Sequence, residues 1–286
     1  MDVLCPLCRS TTSRELFRLG EHSCLRCLHC ELQFLEPQPS DEALKAVYDK
    51  DYYSPWLRDS DEGDLQAMKL RTFRRHLRLL RRHTDGGRLL DVGCALGAML
   101  RAAKEAGFTP FGVELNPAAV ERARQYAEDV RCGTLQDARY DPETFDAVTI
   151  TDVLEHTRDP GATLREAGRV LRPGGVLLVT TPNAGTLAAR LLGRHWPHYK
   201  IEHLFYFNRK SLRLCLADFE ILTMRPATKS LGPLYFGNIL RRYASLRVIR
   251  AVGAASAAFG RRIWDPHVPV RTGELLVIAR RPSQGR

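Results

Sequence analysis

From residue 88 onward, short apolar runs alternate with amphipathic ones, and this rhythm restricts the fold more than any other feature. Residues 88–92, 110–113, 129–132, 145–151 and 176–181 read as strands. Helices fall between them: 96–106, a second opened by Pro117 where proline is favoured, and 160–171, closed by Pro173-Gly174-Gly175. A further helix at 209–216 and strands at 220–224 and 274–279 complete the pattern. Repeating βα units imply a mostly parallel α/β sheet, doubly wound, with helices on both faces. The longest uncharged run, residues 173–189, contains Gly174, Gly175, Pro182 and Gly185 and reads as strand and turn. It is too short and too broken for a bilayer span, which needs about 20 predominantly apolar residues. The first residues, MDVLCPLC, show no basic region followed by an apolar stretch, so no secretory signal is expected.

The front of the chain follows a different logic. Cys5-Pro-Leu-Cys8 and Cys27-Leu-His-Cys30 are two C-x2-C knuckles, at the separation expected of a four-cysteine zinc site. Two thiolates from each turn can close a tetrahedron, which leaves no open position and makes a structural zinc ion the expectation. Cys24 with Cys27 is a competing second knuckle. Cys27 with Cys30 is preferred, because Leu32-Gln33-Phe34-Leu35 then forms the strand that follows. Free or redox-active thiols are the alternative to zinc. Pro37, Pro39 and Ser40 end this module; a short helix at 41–48 and a longer one at 65–83 lead into the βα region. Leu70, Phe73, Leu77 and Leu80 line one face of the longer helix, and its Lys and Arg residues read as a solvated face.

Leu89-Leu90-Asp91-Val92-Gly93-Cys94-Ala95-Leu96-Gly97 places a glycine-containing loop between a strand and a helix. Gly93 and Gly97 permit a tight turn and close backbone approach to a ligand. The next strand ends at Gly112-Val113-Glu114, where an acid can accept hydrogen bonds from both ribose hydroxyls of an adenosine ligand. Asp91 would repel a pyrophosphate at the helix N-terminus but can hold a ligand that carries an ammonium group.

Residues 88–181 resemble the core of class I S-adenosylmethionine-dependent methyltransferases. Leu90 to Gly97 resembles the family's first motif, and Gly112 to Asn116 its second. Phe145-Asp146-Ala147-Val148, Asp152-Val153-Leu154-Glu155-His156 and Val170-Leu171-Arg172-Pro173-Gly174-Gly175 resemble its later motifs, especially in the branch of ubiquinone-pathway O-methyltransferases. The front knuckles and Glu202-His203-Leu204-Phe205-Tyr206-Phe207 resemble a bacterial branch with an N-terminal zinc ribbon. The resemblance implies a Rossmann-like seven-stranded sheet. The ribbon would occupy 1–39, the helical linker and first core helix 40–84, and the methyltransferase domain 85–286. It also implies roles: Asp91, Gly93, Ala95 and Gly97 at the methionine end of the donor pocket, Glu114 at the ribose, and Leu115 on adenine. Thr134 and Leu135 would flank the adenine edge, and Asp152 would complete the cofactor set. Three positions depart from the family pattern. Ala95 replaces a usual glycine, Thr134 stands where many relatives have Asp and could pass the adenine contact to Asp137, and Glu31 follows the second knuckle where glycine is common.

Methyl transfer from a sulfonium chiefly requires alignment, and an O, N or C acceptor can also require proton removal. His156, just after the fourth strand, is the leading catalytic candidate, against the alternative of a hydrogen bond to a loop backbone. His203 is second, among Trp196, Tyr199, Phe205, Tyr206 and Phe207, aromatics that either wall an acceptor pocket or pack in the core. His195 and His198 read as surface or lid groups. No Ser-His-Asp pattern, P-loop or catalytic metal cluster is visible in the sequence.

The net charge of +10 is concentrated late: residues 186–286 carry 18 basic and 5 acidic side chains, while residues 1–60 carry 7 and 10. An acidic front module disfavours nucleic acid, whose affinity comes largely from phosphate neutralisation. The segment 226–272 is far longer than a hairpin needs and holds 8 basic residues against Asp265 alone. Tyr235, Phe236, Ile239, Tyr243 and Leu246 can share a helical face, with Arg241, Arg242, Arg247 and Arg250 largely elsewhere. The expected partner is an anionic small molecule, such as a sugar nucleotide or lipid-linked precursor. The expected setting is the cytoplasm, with peripheral contact to an anionic inner-membrane surface. An RNA methyltransferase and a non-catalytic donor-binding sensor or scaffold are the alternatives.

Overall fold

The computed structural model describes residues 3–48, 62–232, 255 and 268–283. The front module is an antiparallel meander of β1 (Ser13–Leu19), β2 (His22–Cys27) and β3 (Gln33–Glu36), followed by α1 (Asp41–Tyr48). Then come α2 (Glu62–Leu80), β4 (Gly87–Val92), α3 (Ala98–Glu105), β5 (Phe108–Glu114), α4 (Pro117–Ala123) and β6 (Asp129–Cys132). The chain continues through β7 (Phe145–Thr151), α5 (Pro160–Val170), β8 (Leu171–Pro182), α6 (Leu187–Leu192), β9 (Phe205–Tyr206) and α7 (Arg209–Cys215). It closes with β10 (Glu220–Pro226), β11 (Lys229–Leu231), β12 (Val268–Val270) and β13 (Glu274–Arg280).

The main sheet has seven strands in the order β10-β13-β8-β7-β4-β5-β6, as the sequence pattern implied. β8 through β6 are parallel, and β13 runs antiparallel to both its neighbours. Successive connections wind outward in one direction from β4 and in the other from β7. A crevice therefore opens beyond the carboxyl ends of these two strands, where ligands bind in open α/β sheets. The central strand is buried on both faces: Phe145, Ala147, Val148 and Ile150 are fully covered. The helix starts obey local chemistry. Asn116 Oδ1 accepts the Ala118 and Ala119 N–H groups ahead of α4, and Asp159 accepts the Ala162 N–H at the start of α5.

One feature departs from the sequence pattern, and two others were not legible in it. Pro173-Gly174-Gly175 does not separate helix from strand; β8 begins at Leu171 and carries the tripeptide as a bulge. The register jumps from Phe145 opposite Leu171 to Ala147 opposite Val176, and Gly174 takes the left-handed φ of 77° that the bulge requires. The hairpin β1–β2 was not anticipated. Its side chains are mostly half-exposed, so the alternation that marks a half-buried strand is weak. Finally, backbone pairing joins the front module to the later chain. β9 pairs with β3, setting Gln33 opposite Tyr206 and Phe34 opposite Phe205. Cys5, Cys27, Cys30, Leu32 and Phe34 share one apolar core with Val148, Ile150 and Phe207.

Helix α2 buries the predicted Leu70, Leu77 and Leu80, and a second stripe as well: Leu65, Met68, Thr72 and His76. The long segment 226–272 leaves and returns as the two-stranded ribbon β11–β12. The proposed apolar face (Tyr235, Phe236, Ile239, Tyr243, Leu246) and the basic set (Arg241, Arg242, Arg247, Arg250) lie outside the described residues. Among the described residues, no helix is long and apolar enough to cross a membrane.

Candidate active site

Asp91, near the end of β4, is 2% exposed, and its Oδ1 accepts the Thr149 hydroxyl at 2.6 Å. Burial pushes its carboxyl up to about 7, against the pull of the Thr149 hydrogen bond. Among the described residues no side-chain cation is in ion-pair contact with it. Of the charges around it, Glu114 raises the carboxyl further and Lys69 opposes the rise.

The loop after β4 is folded tightly. The Gly93 and Cys94 N–H groups both donate to the Val113 carbonyl, at 2.8 and 3.0 Å. Gly93, Ala95 and Gly97 have φ of 73°, 49° and 85°. A Cβ on Gly93 would fall 2.4 Å from Val153 Cγ2, and one on Gly97 would strike Tyr126 and the Ala123 backbone. Ala95 holds the left-handed conformation despite its methyl group, and its N–H donates to Glu114 Oε2 at 2.9 Å. Glu114 Oε1 accepts the Asn116 N–H at 3.0 Å. The carboxylate at the end of β5 thus ties the glycine loop to the start of α4, and each oxygen keeps a further lone pair for a ligand hydroxyl.

Of the expected adenine contacts, Leu115 is 60% exposed, consistent with an open apolar platform. Leu135 is 1% exposed, and its side chain packs in the core. Asp137 Oδ2 accepts both the Thr134 N–H and the Thr134 hydroxyl, which holds its carboxyl below the usual range. These two residues form a closed turn at the crevice edge.

On the other side lies a charged cluster. Asp152, with φ of 56°, accepts the Thr180 hydroxyl at 2.9 Å and the Lys229 ammonium at 2.6 Å. Lys229 also donates to Glu274 at 2.7 Å. Burial alone would raise the Asp152 carboxyl, but Lys229 outweighs it and holds it at about 2. Glu274 is pushed up to about 7 by burial and by Asp152.

Next to it, Glu155, His156 and His203 bring one ligand atom each within 4.8 Å of one another. No catalytic metal cluster is legible in the sequence pattern. The fold makes one geometrically available by setting the 154–156 turn against the 202–206 segment. Glu155 is fully buried, accepts the Thr181 hydroxyl at 3.0 Å, and is driven by burial to about 8. His156 Nδ1 lies 2.9 Å from the Glu202 carbonyl. A carbonyl only accepts, so Nδ1 carries the proton and Nε2 keeps the lone pair. Burial lowers this imidazole to about 4 and His203 also well below its usual value, so both are neutral at pH 7. The two rings meet edge-on at 4.6 Å. His198, read from sequence as a surface or lid group, stacks near His203 at 6.3 Å, and His195 does not join the cluster. The aromatics pack instead of walling a pocket. Trp196, Phe205, Tyr206 and Phe207 are buried, and Tyr199 donates its hydroxyl to Gln33 across the front module.

The four expected cysteines come together. Cys5 and Cys30 sulfurs lie 3.5 Å apart, as do Cys8 and Cys27, and all four are within 4.8 Å. A thiolate tetrahedron around zinc has edges of about 3.8 Å, so the donor set fits. The knuckles are backbone copies of each other. Cys5 N–H donates to Ser10 and Cys27 N–H to Leu32; Arg9 N–H donates to Cys5 and Glu31 N–H to Cys27. Arg9 and Glu31 both turn left-handed, at φ of 62° and 64°. Glu31 therefore takes the glycine-like conformation itself. Cys24 is buried elsewhere, against Leu35, Trp196 and Tyr206.

Sheet order, crevice and loop define a Rossmann-like methyltransferase fold. Residues 65–221 match the family described as a methyltransferase domain, and the chain belongs to that family. Curated relatives include the ubiquinone biosynthesis O-methyltransferase of Xanthomonas campestris pv. campestris, 37% identical over 133 residues. That match covers 40% of this chain and 56% of the relative, little more than half its length. The enzyme of the same name from Xanthomonas euvesicatoria is 33% identical over 163 residues, covering 51% and 67%. Among solved structures, a SAM-dependent methyltransferase from Thermotoga maritima superposes with a TM-score of 0.54 at 16% identity, covering 83% of this chain and 99% of that one. The PH0226 protein of Pyrococcus horikoshii gives 0.54 at 16%, covering 81% and 99%. At such identities these structures establish the fold alone.

Sequence reasoning missed Lys229 and Glu274. Both lie in or beside the long late segment and carry no local motif. Glu155 stood within the quoted motif, and its spacing one residue before His156 was the available signal.

Proposed function

We propose that the chain transfers the methyl group of S-adenosylmethionine to a hydroxyl oxygen of a small-molecule acceptor. One observation carries this reading: Val153 packs against Gly93, joining the donor loop to the turn that bears Glu155 and His156. Donor and acceptor chemistry therefore share one crevice. The relatives' name, O-methyltransferase, favours oxygen as the acceptor atom. Bound in the crevice, the donor supplies an electrophilic methyl on a sulfonium. Glu114 accepts the ribose hydroxyls while keeping its N–H bonds to the loop. Asp91 receives the ammonium group. Neutral His156, fixed by the Glu202 carbonyl, takes the hydroxyl proton at Nε2, with His203 beside it. A second reading rests on the grouping of Glu155, His156 and His203: a divalent cation held there would acidify the hydroxyl instead. Cys5, Cys8, Cys27 and Cys30 hold a structural zinc ion that closes the front module.

The test is transfer of labelled methyl to a panel of phenols, sugar nucleotides and lipid-linked sugars. His156→Ala should lower kcat by about 10²–10⁴-fold, the usual contribution of a general base. Chelation that abolishes transfer without removing the four-cysteine zinc would select the cation reading. Donor binding with no transfer to any acceptor would support the sensor alternative.

A further inference from the structure

Between α2 and the end of β10 lies a cavity of about 370 Å³ that shares no residue with the donor crevice. Arg75, Arg78 and Arg82 reach it from one face of α2 and its C-terminal turn, and Arg225 reaches it from β10. Leu276 of β13 contributes apolar surface, and among the described residues no carboxylate lines it. Among the described residues none of these four guanidinium groups is in a salt bridge, whereas nearby Arg74 and Arg101 both pair with Glu105. Arg78 uses Nε on the Arg74 carbonyl at 3.3 Å, which leaves its terminal nitrogens for another acceptor. His76 lines the same cavity. It is 2% exposed, and neither ring nitrogen makes a hydrogen bond; the Thr228 backbone approaches without meeting hydrogen-bond geometry. The buried, unpartnered imidazole of His76 is costly, and the half-exposed Arg75 with the exposed Arg78, Arg82 and Arg225 gives the hollow a positive rim that draws anions.

We propose that this cavity binds a phosphoryl group, held by the guanidinium forks of Arg75, Arg78, Arg82 and Arg225 and by a ring N–H of His76. Guanidinium geometry matches phosphate oxygens in paired hydrogen bonds. The volume exceeds that of one phosphate, so the natural source is a soluble diphosphate compound or a phospholipid headgroup. The inference is independent of the acceptor chemistry.

The experiment uses the full chain and two probes: inorganic pyrophosphate by calorimetry, and co-sedimentation with vesicles of one part phosphatidylglycerol in three of phosphatidylcholine. Arg75→Gln/Arg225→Gln is compared with Arg74→Gln/Arg101→Gln, which removes the same charge beside the cavity. The site pair should weaken binding roughly tenfold or more, and the control pair less than about twofold. Unchanged S-adenosylhomocysteine affinity in both confirms folding. Selective loss of pyrophosphate binding assigns a soluble source, and selective loss of vesicle binding a headgroup. Absence of binding to either probe, or equal weakening by both pairs, overturns the proposal.

Discussion

Lys229 Nζ meets Asp152 Oδ2 at 2.6 Å, across 77 positions of sequence, and ties β11 to the loop that follows β7. The same ammonium holds the almost fully buried Glu274. Lys229→Met should therefore destabilise the protein by about 2–3 kcal/mol. Most of that comes from leaving Glu274 without its cation, since Asp152 keeps partial access to water. Adding Glu274→Gln should recover part of the loss. Urea titrations at pH 7 measure both. Because Asp152 is held at about 2, its contribution is complete above about pH 4 and disappears as pH falls toward 2. In Lys229→Met this acid limb should move to higher pH.

Asp91 has the opposite sign. Its carboxyl is raised from 3.8 to about 7 by burial, so the free protein loses stability as pH rises from about 4 through 7. An arriving ammonium lowers that value. Donor binding at pH 6 should then release a proton, seen as a dependence of calorimetric heat on buffer ionisation enthalpy. The release should fade above about pH 8 and vanish in Asp91→Asn, which should also bind donor more weakly. Equal heats in all buffers at pH 6 would count against an ammonium at this site.

Glu114→Ala removes the proposed ribose acceptor and the tie to Ala95 together. Donor affinity should fall by roughly 10–100-fold, the value of hydrogen bonds to a charged group. Glu114→Gln should fall less, because its carbonyl can still accept one of the two N–H bonds. Calorimetry with S-adenosylmethionine distinguishes the two variants; identical affinities for wild type and Glu114→Ala would contradict the assignment.

The two candidate knuckle cysteines separate cleanly. Cys30→Ser should lose the zinc and loosen the front module, together with its contact to β9. Cys24→Ser should keep one zinc per chain but cost about 1–2 kcal/mol, since it puts a hydroxyl among Leu35, Trp196 and Tyr206. Metal analysis and thermal melts report the two effects separately. Zinc lost from Cys24→Ser but retained in Cys30→Ser would reverse the assignment.

Much of this was written locally. β6 and β7 end where the sequence pattern placed them, and the helix that follows β5 opens at Pro117 behind the capping Asn116, because periodicity and capping act within a few residues. The loop from Asp91 to Gly97 and its partner Glu114 were legible for the same reason: a short turn between strand and helix fixes which backbone groups face the crevice. The paired knuckles point to a four-sulfur site through their spacing, while the choice of Cys30 over Cys24 rested on the strand that follows and is settled by the fold, which buries Cys24 against Leu35, Trp196 and Tyr206. Other features were decided only when distant segments met. The depth at which the Leu135 side chain sits in the core was set by apolar burial against remote residues. The docking of β9 on β3 turns the aromatic segment 205–207 into a seam between the two sheets. Lys229, Glu274, and the gathering of Glu155 and His156 with His203 depend on charges and imidazoles from remote segments sharing one buried volume. The cost of burying each charge or imidazole is set by which neighbours complete its hydrogen bonds, and periodicity along the chain does not encode those neighbours.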